Sequence, residues 1–275
     1  MLKNLKKITN FKILAKDCSD AFGRVKDIYF DDEKWGVRYL VVDTGRWLSE
    51  SLTLVSPYNV IEVDWDEGIV WVNLTKRQIE NGPKAELNKP VTRLYESQYN
   101  NYYGLPHYWA SGLGLEIDGL WAGSFYPRRP ESLGNYNASI DYESQKEQHL
   151  RSMLEIFGYH IQAVGDDDFG SVTDFILEES TWAIRYIVID THKFWPGGKK
   201  ILFSPSWVEK FDWNSKKLVT KFHRKVIESC PEYNPEIPIE NIIEESLFSH
   251  FGKSGHWNLK GWDSKGIDYS SHHLK

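Results

Sequence analysis

Long apolar runs, paired cysteines and an excess of positive charge are all missing from this 275-residue chain, and each absence removes a class of protein. No apolar stretch approaches the roughly 20 residues that a spanning helix needs, and no charged segment leads into an apolar region of the kind that targets a chain for export. The expectation is a cytoplasmic protein without a membrane span. Only Cys18 and Cys230 occur, far from any Cys-x-x-Cys spacing, so neither a disulfide framework nor a thiolate zinc site is indicated. The net charge of −6 and pI near 5.9 provide no overall field for a phosphate backbone, and no nucleic acid is expected as a partner. Lys3, Lys6, Lys7, Lys12 and Lys16 do cluster at the N-terminus, where a lysine-decorated first strand or a frayed end accounts for them. What is abundant is aromatic: 12 Trp, 15 Tyr and 13 Phe suit pleated, half-buried surfaces and point to β structure.

The chain repeats itself. Residues 22–44, FGRVKDIYFDDEKWGVRYLVVDT, overlie residues 169–191, FGSVTDFILEESTWAIRYIVIDT, at an offset of 147 with ten identities. One inserted residue then makes the offset 148, and Ser56-Pro57 meets Ser204-Pro205, Asp64-Trp65 meets Asp212-Trp213, and Glu96 meets Glu244. A period this long belongs to a duplicated domain, not a solenoid. The chain divides into a first unit over 1–111, a linker over 112–148 rich in Gly, Pro, Ser and Asn, and a second unit over 149–275. Aromatic residues in the linker (Trp121, Phe125, Tyr126, Tyr136) suggest that it lies against a domain.

Within each unit the signals are those of short strands. Val37 to Asp43 is apolar on both faces apart from Arg38, as in a barrel or sandwich core. VIEVDWDEGIVWVNL alternates, turns at Asp66-Glu67-Gly68 and alternates again, and the second copy turns at NSKK. Short helices follow: TKRQIENGP and HRKVIESCP end at Pro, while PVTRLYESQYNNYYG and PIENIIEESLFSHFG begin after Pro and stop at Gly.

FGRVKDIYFDDE followed by RYLVVDTG, and FGSVTDFILEES followed by WAIRYIVIDT, resemble the PRC-barrel family, known from the cytoplasmic domain of the photosynthetic reaction centre H subunit and from the ribosome maturation factor. HLRSMLEIFGYHIQA, KFWPGGKKILFSP and CPEYNP are similar to a bacterial subfamily of tandem PRC-barrel proteins. The resemblance implies a mainly β fold of two small PRC-type barrels from an internal duplication, each followed by short helices. It implies a docking element and no particular activity.

The phrase Trp-x-x-Arg-Tyr-x-Val-x-Asp-Thr, written twice, reads as architecture. Side chains alternate along a strand, so Arg38 and Asp43, five apart, point to opposite faces, and no salt bridge between them is expected. The bland expectation puts Arg38 and Arg185 on an outer face with their stems on Trp35 or Trp182, and lets Asp43 and Asp190 cap turns. The sharper one packs the units about a pseudo-twofold axis with Trp35, Arg38, Asp43, Trp182, Arg185 and Asp190 near it, as a fused homodimer would.

Asp166, Asp167 and Asp168 form a weak carboxylate cluster of no EF-hand spacing, and no metal or cofactor is expected. The carboxylates of DDE (31–33) and EES (178–180) read as turn residues. His149, His160, His192, His223, His250 and His256 form no ligand pair, and no Walker, Gly-x-Gly-x-x-Gly or Gly-x-Ser-x-Gly signature occurs. An enzyme is therefore the minority reading. The most site-like stretch is THKFWPGGKK (191–200), present only in the second copy, where a Trp-Pro-Gly-Gly turn would set Trp195 among His192, Lys193, Lys199 and Lys200, beside Asp190. The other course for Trp195 is to fold back onto the neighbouring barrel. The functional expectation is a non-catalytic binding or scaffold protein that docks a protein partner and allows further homo-oligomerisation. An electron-transport accessory, an RNA or ribosome-assembly adaptor and an uncharacterised enzyme are the alternatives.

Overall fold

The computed structural model describes residues 1–45, 52–84, 91–105, 150–165 and 168–253. The expected linker, His149, His256, Asp166 and Asp167 lie outside these. The first half contributes β1 (Leu2–Asn4), β2 (Lys12–Ala15), β3 (Ala21–Asp31), β4 (Val37–Asp43), β5 (Leu52–Val55), β6 (Val60–Asp64) and β7 (Ile69–Val72), then helices α1 (Lys76–Glu80) and α2 (Arg93–Tyr103). The second contributes β8 (Leu150–Ser152), α3 (Met153–Ile156), β9 (His160–Gln162), β10 (Asp168–Glu178), β11 (Ala183–Asp190), β12 (Lys200–Phe203), β13 (Val208–Asp212) and β14 (Lys217–Thr220), then α4 (Arg224–Glu228) and α5 (Asn241–His250).

These strands make two seven-stranded sheets of the same order, β5-β4-β3-β2-β7-β6 and β12-β11-β10-β9-β14-β13, which is consistent with a duplication. The protein is mainly β, as the sequence indicates, but neither path closes into a barrel. The chain passes from β5 to β6 through a 3-10 turn, Pro57–Asn59, begun by Ser56, whose hydroxyl accepts from the Tyr58 N–H. Across that turn β5 and β6, the two ends of the path, do not pair among the described residues.

Each sheet takes its seventh strand from the other half. β1 pairs with β10, Leu2 opposite Glu178 and Asn4 opposite Ile176, while β8 pairs with β3, Leu150 opposite Asp31 and Ser152 opposite Tyr29. Under the sequence repeat these are the same pairings with the halves exchanged. The lysine-rich N-terminus is therefore an ordered arm and not a frayed end. Leu5 and Ile8, just after β1, are fully buried, as are Met153 and Ile156 just after β8. Burial of each such side chain stabilises by about 1.5–3 kcal/mol, enough to hold a three-residue strand that could not persist alone.

Local chemistry sets the turns. Asp31 Oδ1 accepts from the backbone N–H groups of Glu33 and Lys34, closing the DDEK turn. Gly68 supplies the left-handed position of the β6–β7 hairpin (φ 67°), and Lys216 takes that conformation at the equivalent place in the second (φ 55°). Thr75 and Gln78 form a capping box on α1, and α2 ends at Gly104 in the left-handed region. The core is continuous between the halves: Phe30 stacks on Trp35 at 5.5 Å and meets Phe175 at 5.5 Å, and Trp35 lies 5.4 Å from Phe211.

Candidate functional site

The repeated phrase meets itself at the centre of the molecule. Gly36 bridges Ala183 in antiparallel fashion, the Val37 N–H donates to the Trp182 carbonyl at 2.9 Å, and the Ile184 N–H donates to the Trp35 carbonyl at 2.7 Å. Gly36 and Ala183 are equivalent in the repeat, so this is a residue pair on an approximate twofold axis. Trp35 and Trp182 both take positive φ there, 52° and 56°, a strained conformation for a bulky residue that pairs of this kind hold in place.

Around the axis the contacts recur in reciprocal form. Trp65 Nε1 donates to Glu179 Oε1 at 2.9 Å with Lys3 Nζ 5.7 Å from the indole centroid. In the equivalent place Arg151 Nε donates to Asp32 Oδ2 at 2.7 Å and lies 3.9 Å over the Trp213 ring. Asp27 accepts from the Ser152 hydroxyl and the Leu154 N–H, and Asp174 accepts from Asn4 Nδ2 and the Lys6 N–H. Desolvation raises both carboxyls above the usual range, only partly offset by these hydrogen bonds.

The two arginines differ. The bland expectation of a solvated outer-face Arg is corrected for Arg38, which is 3% exposed with Nε 4.0 Å from the buried Asp31 carboxylate. The absent side chain of Gly36 makes room for it, since a Cβ there would stand 3.3 Å from the guanidinium. Arg185, half-buried, lies 4.0 Å from Glu178 and also favours the charged form of Glu244. Asp43 and Asp190 are not at the axis: seven residues of strand, about 23 Å, separate each from the crossing. Each accepts a turn N–H, from Gly45 and His192 respectively.

The hairpin stretch 191–200 is tightly made. Pro196 and Gly197 (φ 77°) form the centre of a turn closed by the Gly198 N–H on the Trp195 carbonyl at 3.1 Å. Thr191 is tied to Lys199 through both backbone and hydroxyl, and Lys200 pairs with Asp190 in the β11–β12 ladder. Trp195 is half-buried, 6.5 Å from Phe169 by ring centroids, and carries the Arg224 guanidinium 5.3 Å from its ring centre. His192 and Lys193 are exposed. His192 Nδ1 lies 2.8 Å from Asp190 Oδ1; desolvation opposes the Asp190 charge, but the His192 contacts prevail and hold its carboxyl below the usual range. Arg185, at the other end of β11, is not part of this group.

Asp168 is paired with two basic groups. It binds His160 at 2.8 Å and Lys217 at 2.9 Å, which lower its pKa against the desolvation that would raise it, and Phe194 of the hairpin lies edge-on to His160 at 5.6 Å. No group of three metal-ligating side chains occurs among the described residues.

Sequence reasoning missed two features. The exchanged arms have a signal, since LKNLKKI and LRSMLEI align at offset 148 with Leu and Ile shared between halves. The second is a buried acid on each tail helix: Glu96, 2% exposed, pairs with Arg93 at 3.0 Å, and Glu244 accepts from the Tyr186 hydroxyl. Desolvation raises Glu244 and pushes Tyr186 far above its ordinary value.

Residues 3–79 match the PRC-barrel domain family. No curated protein matches the chain. No helix among the described residues is long and apolar enough to cross a membrane.

Proposed function

We propose that the chain is a binding or scaffold protein without catalysis of its own, built from two PRC-type units, that docks a protein partner in the cytoplasm. In this reading the hairpin 191–200 offers Trp195, flanked by His192, Lys193 and Lys199, to an acidic face of the partner. The observation that carries it is the construction of that hairpin: a Pro-Gly turn, a doubly tied Thr191 and an Arg224–Trp195 stack fix the exposed His192 and Lys193 beside a half-buried Trp195 packed on the core, on a chain whose net charge is −6. The first copy has no Trp-Pro-Gly-Gly turn, so the fold does not require it.

The test is native mass spectrometry of the protein isolated from its own host, with Trp195→Ala and a Lys193→Glu, Lys199→Glu double variant alongside. A complex with another polypeptide that both variants lose supports the reading. A complex that both variants retain removes the hairpin from it, and a bare chain carrying a small extra mass replaces docking with ligand binding.

A further inference from the structure

We infer that the first unit holds a site for a small neutral, hydroxyl-rich ligand of the saccharide kind, in the cleft between the Pro57–Asn59 turn, β6, the end of α2 and the Glu179–Trp182 turn of the other half. The two copies differ sharply here. In the second unit this region is filled: Trp207 lies 5.8 Å from Phe222, 5.3 Å from Phe248 and 4.2 Å from Phe251, and Phe222 lies 4.8 Å from Phe251. The equivalent residues of the first unit are Asn59, Leu74, Asn100 and Tyr103. An indole and two phenyl rings have become two amides and an isobutyl group.

A cleft of about 770 Å³ stands there, within the range of small-molecule sites. Leu247 of the second unit is Tyr99 in the first, buried with its ring 4.6 Å from Tyr103, so part of the vacated volume is refilled. Of the smaller replacements, Asn59 and Leu74 line the cleft. Asn59 lines the floor, buried, and its Nδ2 sits beside the Tyr99 hydroxyl without a hydrogen bond of ordinary geometry to it or to any other described group. Lys16 Nζ reaches Asn73 Oδ1 at 3.2 Å on one wall. Side-chain amides set a donor beside an acceptor, which matches vicinal hydroxyls, and the half-buried rings of Tyr58 and Tyr103 offer faces to the C–H groups of a sugar. Lys16 stands against Glu62 and Glu179, so the lining carries one net negative charge, which selects against an anion.

The cleft is remote in sequence from the hairpin of the second unit, and either proposal stands without the other. Saturation-transfer NMR on the full chain, with glucose, maltose, cellobiose and sucrose as neutral probes and glucose 6-phosphate as the charged one, tests it. At least one neutral sugar should receive magnetisation. Asn59→Trp, which restores the second unit's residue, should abolish the transfer, and Tyr58→Ser, which reproduces Ser206 at a half-exposed position, should weaken binding about tenfold. Should Asn59→Trp fail to fold, Tyr58→Ser alone decides between the outcomes. No transfer to any neutral sugar, transfer undiminished in the folded variants, or a preference for the phosphate over glucose each overturns the inference.

Discussion

At the scale of single residues, the repeated letters mark places where an atom more or less is felt. A Cβ on Gly23 would stand 2.6 Å from the Asp43 carbonyl oxygen, and one on Gly170 would stand 2.4 Å from an Ile189 methyl and 3.2 Å from the Asp190 carbonyl oxygen. Backbone cannot rotate out of the way as a side-chain tip can. Gly23→Ala and Gly170→Ala should each cost about 1–3 kcal/mol in urea unfolding; an unchanged midpoint for both would remove the steric reason for the repeated Phe-Gly. Glu244 gives a pH signature. Desolvation puts its folded-state pKa above the unfolded value, so the native state binds more protons between the two. Its contribution to stability is complete below the unfolded pKa and declines as pH rises through the folded one. Glu244→Gln cannot ionise and should gain on the wild type as pH is raised from about 4 to about 7. A stability difference that is flat, or that runs the other way, counts against the buried carboxylate. Asp190, with its lowered pKa, has the opposite sign: its stabilisation is lost as pH falls through that value.

At the scale of elements, the exchanged arms and the hairpin are both short pieces held by what they touch. β1 has three residues, and its hold on the second sheet includes the two hydrogen bonds that Asp174 accepts from Asn4 and Lys6. Asp174→Ala should cost about 1–3 kcal/mol and raise amide exchange at Lys6, with Asp27→Ala doing the same at Leu154. Protection at those amides unchanged in the variants would show that the arms are held by burial of Leu5 and Ile8 alone. In the hairpin, a Cβ on Gly198 would lie 2.4 Å from the Thr191 carbonyl oxygen and 2.5 Å from the His192 Cα. Gly198→Ala should therefore distort the turn, seen as lost chemical-shift dispersion at residues 191–200, while leaving the first sheet unperturbed. The strands, the β6–β7 turn and the Gly104 stop of α2 were legible in the sequence because periodicity and turn chemistry are local. The open β5–β6 junction was not, since Ser56-Pro57 fixes a turn but not what lies across from it.

At the scale of the whole molecule, two reciprocal strand pairings and the Gly36–Ala183 crossing join the halves into one core. A chain cut at a protease site placed between residues 112 and 148 should stay together, eluting as a single species and separating only in denaturant. Separation under native conditions would mean that the peptide link, not the exchanged strands, holds the halves. Of the six residues expected at the axis, Trp35 and Trp182 flank it, Arg38 and Arg185 stand two residues beyond the Gly36–Ala183 pair, and Asp43 and Asp190 are far from it. The reason is geometric: a strand carries its repeated letters along its whole length, while a crossing of two strands touches only one place on each.

By itself the sequence determined that the protein is mainly β, that it contains one design twice, and where its strands turn, because alternation, glycine and capping residues act within a few positions of one another. Only the tertiary structure decided that each half lends its first strand to the other, that Arg38 is buried while Arg185 is only partly so, and that the Trp207 cluster of one unit faces a cleft lined by Asn59 at the equivalent place in the other. These depend on which surfaces meet across more than a hundred residues of chain, and on what volume is left when they do.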